Sequence, residues 1–194
     1  FAPVLFVVCA LFPLGAIAER PTQTLKRTHA RIEKLLKKKV KTGSAAEKRI
    51  KSAIKKEVNT LLDFQELARL SLGKHWKERT EKERSEFVSV LQDLIERNYT
   101  KQIKSNLGYQ LSYDEEKIRG DSAKVETSVK VKKNGRITEI LIAYKLKKSN
   151  GSWMVYDVIT DEVSIVKNYR SQFNRIIKKD SYEKLIKKMK RKLE

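Results

Sequence analysis

The stretch 153–173 constrains the fold most, because its hydrophobic period changes from two residues to three or four within it. Residues 153–160 alternate apolar and polar side chains as a β-strand does. Beyond them the apolar residues recur at helical spacing, namely Ile165, Val166, Tyr169, Phe173, Ile176 and Ile177. Ser164 is a suitable N-cap, since its hydroxyl can accept from an unpaired N–H of the first turn. A strand leading directly into a helix predicts a sheet with a helix packed against it.

The rest of the chain shows helical periodicity first and strand periodicity second. Helical stripes are predicted over 20–40, from the capping box at 44–47, from near Asn59 to Leu72, and from Thr80 to about Ser105. Four strands follow between 109 and 160, the last three joined at Asn134-Gly135 and Asn150-Gly151, dipeptides typical of two-residue hairpin turns. A lysine-rich helix after Ser181 ends the pattern.

These elements predict the α+β class. We expect a four-stranded twisted antiparallel meander packed against several helices. Helices on the concave side of such a sheet would enclose a cone-like (NTF2-like) cavity that is open at one end.

The charge balance favours an anionic partner. The chain has 44 Lys+Arg against 24 Asp+Glu and a formal net charge of +20, and residues 1–18 carry no charge, so the excess lies within 19–194. Nucleic acid, anionic lipid surfaces and acidic proteins all fit such a balance. Charge alone does not choose among them.

The N-terminal stretch 1–18 is apolar and ends in Ala16-Ile17-Ala18, which predicts the core and cleavage site of a secretory signal peptide. An uncleaved membrane anchor is the alternative, because about 18 apolar residues approach the minimum for a span. Pro13 and Gly15 beside the small residues favour cleavage. Residues 19–194 are then one exported domain without cysteine, since Cys9 is the only cysteine. Export counts against a nucleic-acid partner.

No catalytic or metal-binding spacing stands out. His29 and His75 are far apart and fit no H-x-x-x-H pattern, so each is expected on the surface or at a helix end. Asp157 is the exception, because it interrupts the apolar alternation of the fourth strand. A buried carboxylate needs a partner, so a structural role beside a basic side chain or backbone N–H groups is preferred. Catalysis in the cavity of a cone-like fold is the alternative.

Two blocks of residues carry a family resemblance. The first is Asp63-Phe64-x-x-Leu67-Ala68-x-x-x-Leu72-Gly73-x-x-Trp76-x-x-x-Thr80, followed by Phe87 and Tyr99. The second is Trp153-x-Val155-Tyr156-Asp157-Val158, then Val163-Ser164-x-Val166-x-Asn168-Tyr169-Arg170-x-Gln172-Phe173. In order and spacing they resemble the MlaC family, also called the toluene-tolerance family. The family usually has Gly in place of Glu162, and Thr-Pro-Glu-Gln in place of residues 80–83.

The resemblance implies a soluble periplasmic carrier of phospholipid that is not an enzyme and has no cofactor. Family members shuttle lipid between an outer-membrane lipoprotein–porin complex and an inner-membrane ABC transporter with an MCE-domain ring, and so maintain outer-membrane lipid asymmetry. Their fold encloses the acyl chains between sheet and helices and leaves the head group outside.

A cavity for acyl chains needs apolar residues beyond those that close a core. The residues expected to line it are Phe64, Leu67, Phe87, Leu91, Tyr99, Val129, Ile142, Tyr144, Val166, Tyr169 and Phe173. For each of them, ordinary core packing is the alternative. Arg170 could approach the head group or pair with Asp157. The rival functions are a cone-fold enzyme that uses Asp157 and a basic nucleic-acid-binding protein.

Overall fold

The structure is a computed structural model that describes residues 19–102, 109–133 and 136–194, with the backbone alone at 99–102, 132 and 133. The predicted signal peptide and the predicted Asn134-Gly135 turn lie outside these residues. The described chain forms α1 Pro21–Leu36, α2 Ala45–Leu61, α3 Phe64–Leu72, a 3-10 helix at Gly73–Trp76, α4 Glu81–Gln102, β1 Tyr109–Arg119, β2 Ser122–Lys133, β3 Arg136–Ser149, β4 Ser152–Thr160, β5 Val163–Ser164, α5 Ile165–Lys179 and α6 Tyr182–Arg191.

The sheet is antiparallel with strand order β1-β2-β3-β4-β5, which confirms the α+β meander. Within the described residues it has five strands, so the prediction of four was one short. The added strand β5 contains only Val163 and Ser164, too few residues to show a period of two. Asn150 and Gly151 both have positive φ, 48° and 80°, as a type I′ hairpin requires.

The helix boundaries follow the capping residues. Asp63 accepts from the Glu66 N–H at 2.9 Å, so α3 begins at Phe64 and not near Asn59 as the apolar run suggested. Between α2 and α3 the backbone of Leu62 is extended and bridges to Val155 in β4. This short connection fixes the two helices against one end of β4.

The register of the sheet defines its two faces. Residues paired across antiparallel strands project to the same side. Val125 pairs with Tyr144, and Tyr144 pairs with Val158. We call this side the inner face, because Leu25 of α1 packs against Val125 there.

Nearly all the buried apolar side chains of the described residues belong to one of two clusters. The helical cluster joins α3, α4, α5 and α6 around Phe64, Leu67, Leu72, Phe87, Leu91, Val166, Phe173, Leu185 and Met189. The sheet cluster joins α1 and the end of α2 to the inner face through Leu25, Leu61, Ala123, Val125, Leu146, Trp153 and Val155. Leu62 contacts both clusters. The half of the inner face that is nearest the start of β1 belongs to neither cluster.

Candidate functional site

The inner face of the sheet is closed at one end and open at the other. Val125 and Leu146 are 0% exposed and lie in the sheet cluster. Further along the same two strands, Val129, Ile140 and Ile142 are only half-buried. They share the inner face with Val125, because Val129 pairs with Ile140, and strand residues two apart lie on one side. The apolar surface therefore loses its cover toward the start of β1.

Helix α1 shows the same gradient. Its first half is buried through Leu25, whereas Ile32, Leu35 and Leu36 in its second half are only half-buried. The helix runs antiparallel to β1, since the Thr22 N–H donates to Glu116 at 2.7 Å while Lys37, fifteen residues later, is close enough to act electrostatically on Tyr109. Both walls thus become exposed toward the same end of the molecule.

We call this half-buried apolar surface the groove. Its walls are the second half of α1 and the open half of the inner face. The residues that form it are Ile32, Leu36, Leu111, Val129, Val131, Ile140 and Ile142.

A polar cluster lies between the groove and the closed end. Nδ1 of His29 lies 2.6 Å from the Tyr113 hydroxyl, and Nε2 lies 3.5 Å from the Tyr144 hydroxyl. Desolvation by burial lowers the pKa of His29 to about 4 and raises the pKa of Tyr113 to about 12. The imidazole is consequently neutral near pH 7. The expected surface position of His29 is wrong, and this cluster marks the floor of the groove.

The closed end is anchored by Glu116. Its carboxylate accepts from the Thr22 N–H and, at 2.8 Å, from the Arg20 Nε–H. Burial alone would raise the pKa of Glu116, but these hydrogen bonds and the Arg20 charge outweigh it and hold the pKa below its usual value. A carboxylate at the start of a helix is also favoured by the helix dipole. Helix α1 is thereby fixed at the end opposite to the groove's opening.

Most of the predicted lining residues lie in the helical cluster and not in the groove. Phe64, Leu67, Phe87, Leu91, Val166 and Phe173 are buried there, and Tyr169 packs at its margin. The rings of Phe87 and Phe173 meet edge to face at 5.6 Å, and Tyr169 stacks on Phe173 at 5.2 Å.

The other predicted residues lie on or near the sheet. Val129 and Ile142 are in the groove, and Tyr144 is at its floor. The side chain of Tyr99 is outside the described part. The structure therefore brings the other ten candidates together in two groups rather than one. Contact of any of them with lipid stays a prediction.

The residues that sequence reasoning missed are those contributed by α1 and the remaining inner-face positions. The sequence contains a usable signal for the first set. Leu25, His29, Ile32 and Leu36 follow one another at spacings of four, three and four, a single helical stripe. A histidine within such a stripe is expected to face the sheet, as His29 does.

Asp157 is 3% exposed and has a full set of partners. It accepts from the Ser164 hydroxyl at 2.8 Å and from the Val166 N–H at 3.1 Å, and Lys145 Nζ lies 3.8 Å away. Ser164 in turn accepts from the Lys167 N–H at 3.0 Å, which confirms it as the N-cap of α5. Asp157 pairs with Lys145 on the face opposite to Tyr144, so it does not face the groove.

Arg170 forms no ion pair with Asp157 and does not line the groove. Its Nε–H donates to the Leu70 carbonyl at 2.7 Å, near the end of α3. Gly73 follows with φ +61°, and a Cβ there would lie 3.4 Å from the Arg170 Cδ. Arg170 therefore joins α5 to the end of α3, and the positive φ of Gly73 explains a glycine at the position.

Two other pockets of the described surface are lined mostly by polar or charged side chains. One, of about 490 Å³, lies between α4 and α6 beside Glu83 and Lys190. The second, of about 270 Å³, lies between α1 and β1 beside Lys26 and Glu116. Among the residues that the structure describes, no three His, Cys, Asp or Glu side chains are grouped so as to hold a metal ion.

The helices of the described chain include none with the length and apolarity needed to cross a membrane.

Known proteins resemble this chain in sequence and in fold. The intermembrane phospholipid transport system binding protein MlaC of Haemophilus influenzae is 27% identical over 120 residues, 61% of this chain and 56% of the relative, so the match spans about half of that protein's length. The phospholipid-binding protein from Ralstonia solanacearum, solved in complex with a phospholipid, superposes with a TM-score of 0.72 and 17% identity over 88% of this chain and 94% of that one. At this identity the match establishes the fold.

The family model described as MlaC protein matches residues 26–191, nearly the whole of the described chain. This range includes both sequence blocks and both walls of the groove. The chain therefore belongs to the MlaC family.

Proposed function

We propose that this protein is a non-enzymatic phospholipid carrier that holds acyl chains in the groove. The observation that carries the proposal is the parallel loss of burial along α1 and the inner face. Ordinary packing would cover these side chains, as it covers Leu25 and Val125 at the closed end. An apolar concave surface of this kind is what a lipid tail requires.

The free energy of exposing an acyl chain to water explains why such a carrier is needed. Moving one acyl chain of about 16 carbons through water exposes methylene groups at roughly 0.8 kcal/mol each, on the order of 12 kcal/mol for the chain. Covering the chain with Leu36, Val129 and Ile140 offsets much of that cost. The polar floor at His29 and Tyr144 limits how far a tail can enter, because an alkyl group there would leave hydroxyls unpaired.

The head group is proposed to remain at the open end, outside the groove. The cellular role follows from the resemblance: the protein operates in the periplasm after removal of residues 1–18. It passes phospholipid between an outer-membrane lipoprotein–porin complex and an inner-membrane ABC transporter with an MCE-domain ring, maintaining outer-membrane lipid asymmetry. The H. influenzae relative is described as a binding protein of an intermembrane phospholipid transport system, and the R. solanacearum protein was solved with a phospholipid. Both descriptions support this role.

A catalytic role for Asp157 has less support. The partners of its carboxylate are the Ser164 hydroxyl, the Val166 N–H and Lys145, all within the protein. The carboxylate also lies on the sheet face opposite to Tyr144. These contacts fit a structural anchor for α5.

The proposal is tested by lipid extraction from protein purified out of a bacterial periplasm, followed by mass spectrometry. We expect stoichiometric phospholipid in the wild type. In Ile140→Trp an indole would occupy the groove, and losing contact with about two methylenes corresponds to roughly tenfold weaker binding. Leu141→Trp is the matched control, because Leu141 is adjacent in sequence, 60% exposed and on the opposite face.

The outcomes separate function from location. Absence of phospholipid from the wild type would overturn the proposed function. Phospholipid that is equally depleted in both tryptophan variants would overturn the assignment to the groove and leave carriage itself in place.

A further inference from the structure

The open end of the groove carries a concentration of positive charge. Helix α1 ends at Leu36 and is followed by four lysines within five residues, Lys37, Lys38, Lys39 and Lys41, all exposed. The charge of Lys37 acts on Tyr109, so the lysine-rich segment 37–41 begins close to the start of β1. The β2–β3 hairpin reaches the same end, since Tyr109 pairs with Val131. Arg136 is exposed at the start of β3.

Only part of this charge is compensated. Glu33 pairs with Lys37 at 2.7 Å, and Glu139 lies 3.6 Å from Lys130. Within the described chain, Lys38, Lys39, Lys41 and Arg136 have no acidic side chain within ion-pair distance. These four cations are thus available to an external anionic surface.

Exposed apolar side chains lie among the same cations. Val40 is 38% exposed between Lys39 and Lys41, and Ile137 is 70% exposed next to Arg136, at the same end of β3 but on the face of the sheet opposite to the groove. A single exposed aliphatic residue is ordinary. Two of them beside unpaired cations, at the end where the groove opens, form the combination that binds the interface of an anionic bilayer, with cations at the phosphates and apolar groups below them.

The lysines of α6 provide a contrast. Lys184 and Lys187 are also exposed, but the apolar residues of this helix, including Leu185 and Ile186, are buried in the helical cluster. None of the large exposed apolar residues of the described chain lies on α5 or α6. Helix α6 therefore has charge without the apolar component.

We propose that the open end docks directly on an anionic lipid bilayer through a surface that we call the collar. The collar consists of Lys38, Lys39, Val40, Lys41, Arg136 and Ile137. This inference rests on the proposed function, because docking would place the groove's opening against the bilayer so that a tail passes between them without crossing water. An acidic protein is the competing occupant, and the experiment separates the two.

The test is flotation of the full chain with vesicles of phosphatidylcholine, alone or mixed with phosphatidylglycerol. Four cations near an anionic surface are expected to raise vesicle binding by on the order of a hundredfold or more over neutral vesicles at low salt. Salt should weaken this binding strongly. The double variant Lys38→Glu/Lys41→Glu should lose at least roughly tenfold in binding, since two attractive contacts become repulsive.

The matched control is Lys184→Glu/Lys187→Glu, which changes the net charge by the same amount on α6. It should retain vesicle binding. Equal loss in both double variants would show a response to net charge alone and would overturn the collar. Failure of the wild type to bind anionic vesicles would also overturn it, and would leave an acidic protein as the occupant.

A second pair of variants tests the apolar component. Val40→Ser/Ile137→Ser should bind anionic vesicles more weakly than the wild type at a salt concentration that screens the lysines, whereas Leu141→Ser should not. Unchanged vesicle binding by Val40→Ser/Ile137→Ser would contradict insertion of these two side chains into the bilayer.

The failure of this inference is distinguishable from failure of the proposed function. Phospholipid co-purified with each collar variant is measured in parallel and should equal that of the wild type. Lipid carriage without vesicle binding contradicts only the collar, and vesicle binding without carried lipid contradicts only the carrier function.

Discussion

The two ends of the sheet's inner face present the same kind of side chain and bury it differently. At the closed end Val125 and Leu146 are covered by Leu25 and Trp153, whereas at the open end Val129 and Ile140 are half-buried. Apolar area that is covered in the folded protein stabilises the fold by roughly 25 cal/mol per Å². Apolar area that is still exposed can contribute a similar free energy when a ligand covers it. The closed end is therefore expected to govern stability and the open end to govern binding.

The largest expected effect is a truncation at the closed end. Leu146→Ala should lower the free energy of unfolding by about 2–5 kcal/mol, because it leaves a cavity in a fully covered cluster. Ile140→Ala at the open end should cost less, about 1 kcal/mol, since that side chain is only partly covered in the folded protein. Urea denaturation of delipidated protein measures both, because bound lipid would add its own stabilisation. Equal losses of stability in the two variants would contradict a difference in packing between the two ends.

His29, which lies between the two ends of the inner face, should make the folding stability depend on pH. Because burial holds the folded pKa of His29 at about 4 against an ordinary value of 6.5, the unfolded chain binds a proton in this interval and the folded chain does not. The stability that neutral His29 supports is complete above pH 6.5 and decreases as the pH falls toward 4, by about 1–3 kcal/mol.

Unfolding free energies of the wild type and of His29→Gln across this interval isolate the contribution of His29, because the other titrating groups are shared. The two curves should converge as the pH falls. Parallel curves would contradict a desolvated imidazole at the floor of the groove.

A change on the opposite face of the sheet should affect stability and leave the groove intact. Asp157→Asn removes the charge facing Lys145 and changes the hydrogen bonds to Ser164 and Val166, so we expect a loss of about 1–3 kcal/mol. Thermal unfolding is the measurement, with exposed Asp121→Asn as control. Unchanged stability together with loss of an enzymatic turnover would favour the rival function instead.

The smallest effect is expected at the β4–β5 turn. Glu162 has φ +68°, a conformation that disfavours side chains with a Cβ. Glu162→Gly should raise the free energy of unfolding by up to about 1 kcal/mol, the relief of strain being partly offset by the greater freedom of glycine when unfolded. Glu162→Ala removes the charge but keeps the Cβ, so an equal gain in Glu162→Ala would assign the effect to charge and not to backbone strain.

Local chemistry explains which elements could be predicted from the sequence. The N-caps Ser44, Thr80 and Ser164 and the Asn150-Gly151 turn act through neighbouring backbone groups, and the structure has each of them. The start of α3 was misplaced because Leu61 and Leu62 continue an apolar run although Leu62 is extended.

The site was less accessible to prediction, since periodicity identifies an apolar face but not what covers it. Phe87 and Val129 have equivalent positions on their stripes, yet one lies fully within the helical cluster and the other in the groove. That distinction depends on how α1 is placed over the sheet, which involves residues nearly a hundred positions apart, such as Thr22 and Glu116. Family resemblance does not supply this placement residue by residue.

Isotope-filtered NOEs between an unlabelled phospholipid and methyl-labelled protein would locate the bound acyl chain, because they report contacts between acyl protons and individual methyl groups. We expect NOEs from the acyl chain to Leu36, Val129 and Ile140. No NOEs are expected to Leu67, Leu91 or Val166 in the helical cluster. NOEs to Leu67, Leu91 and Val166, with none to the sheet, would contradict the assignment of the groove as the lipid-binding surface.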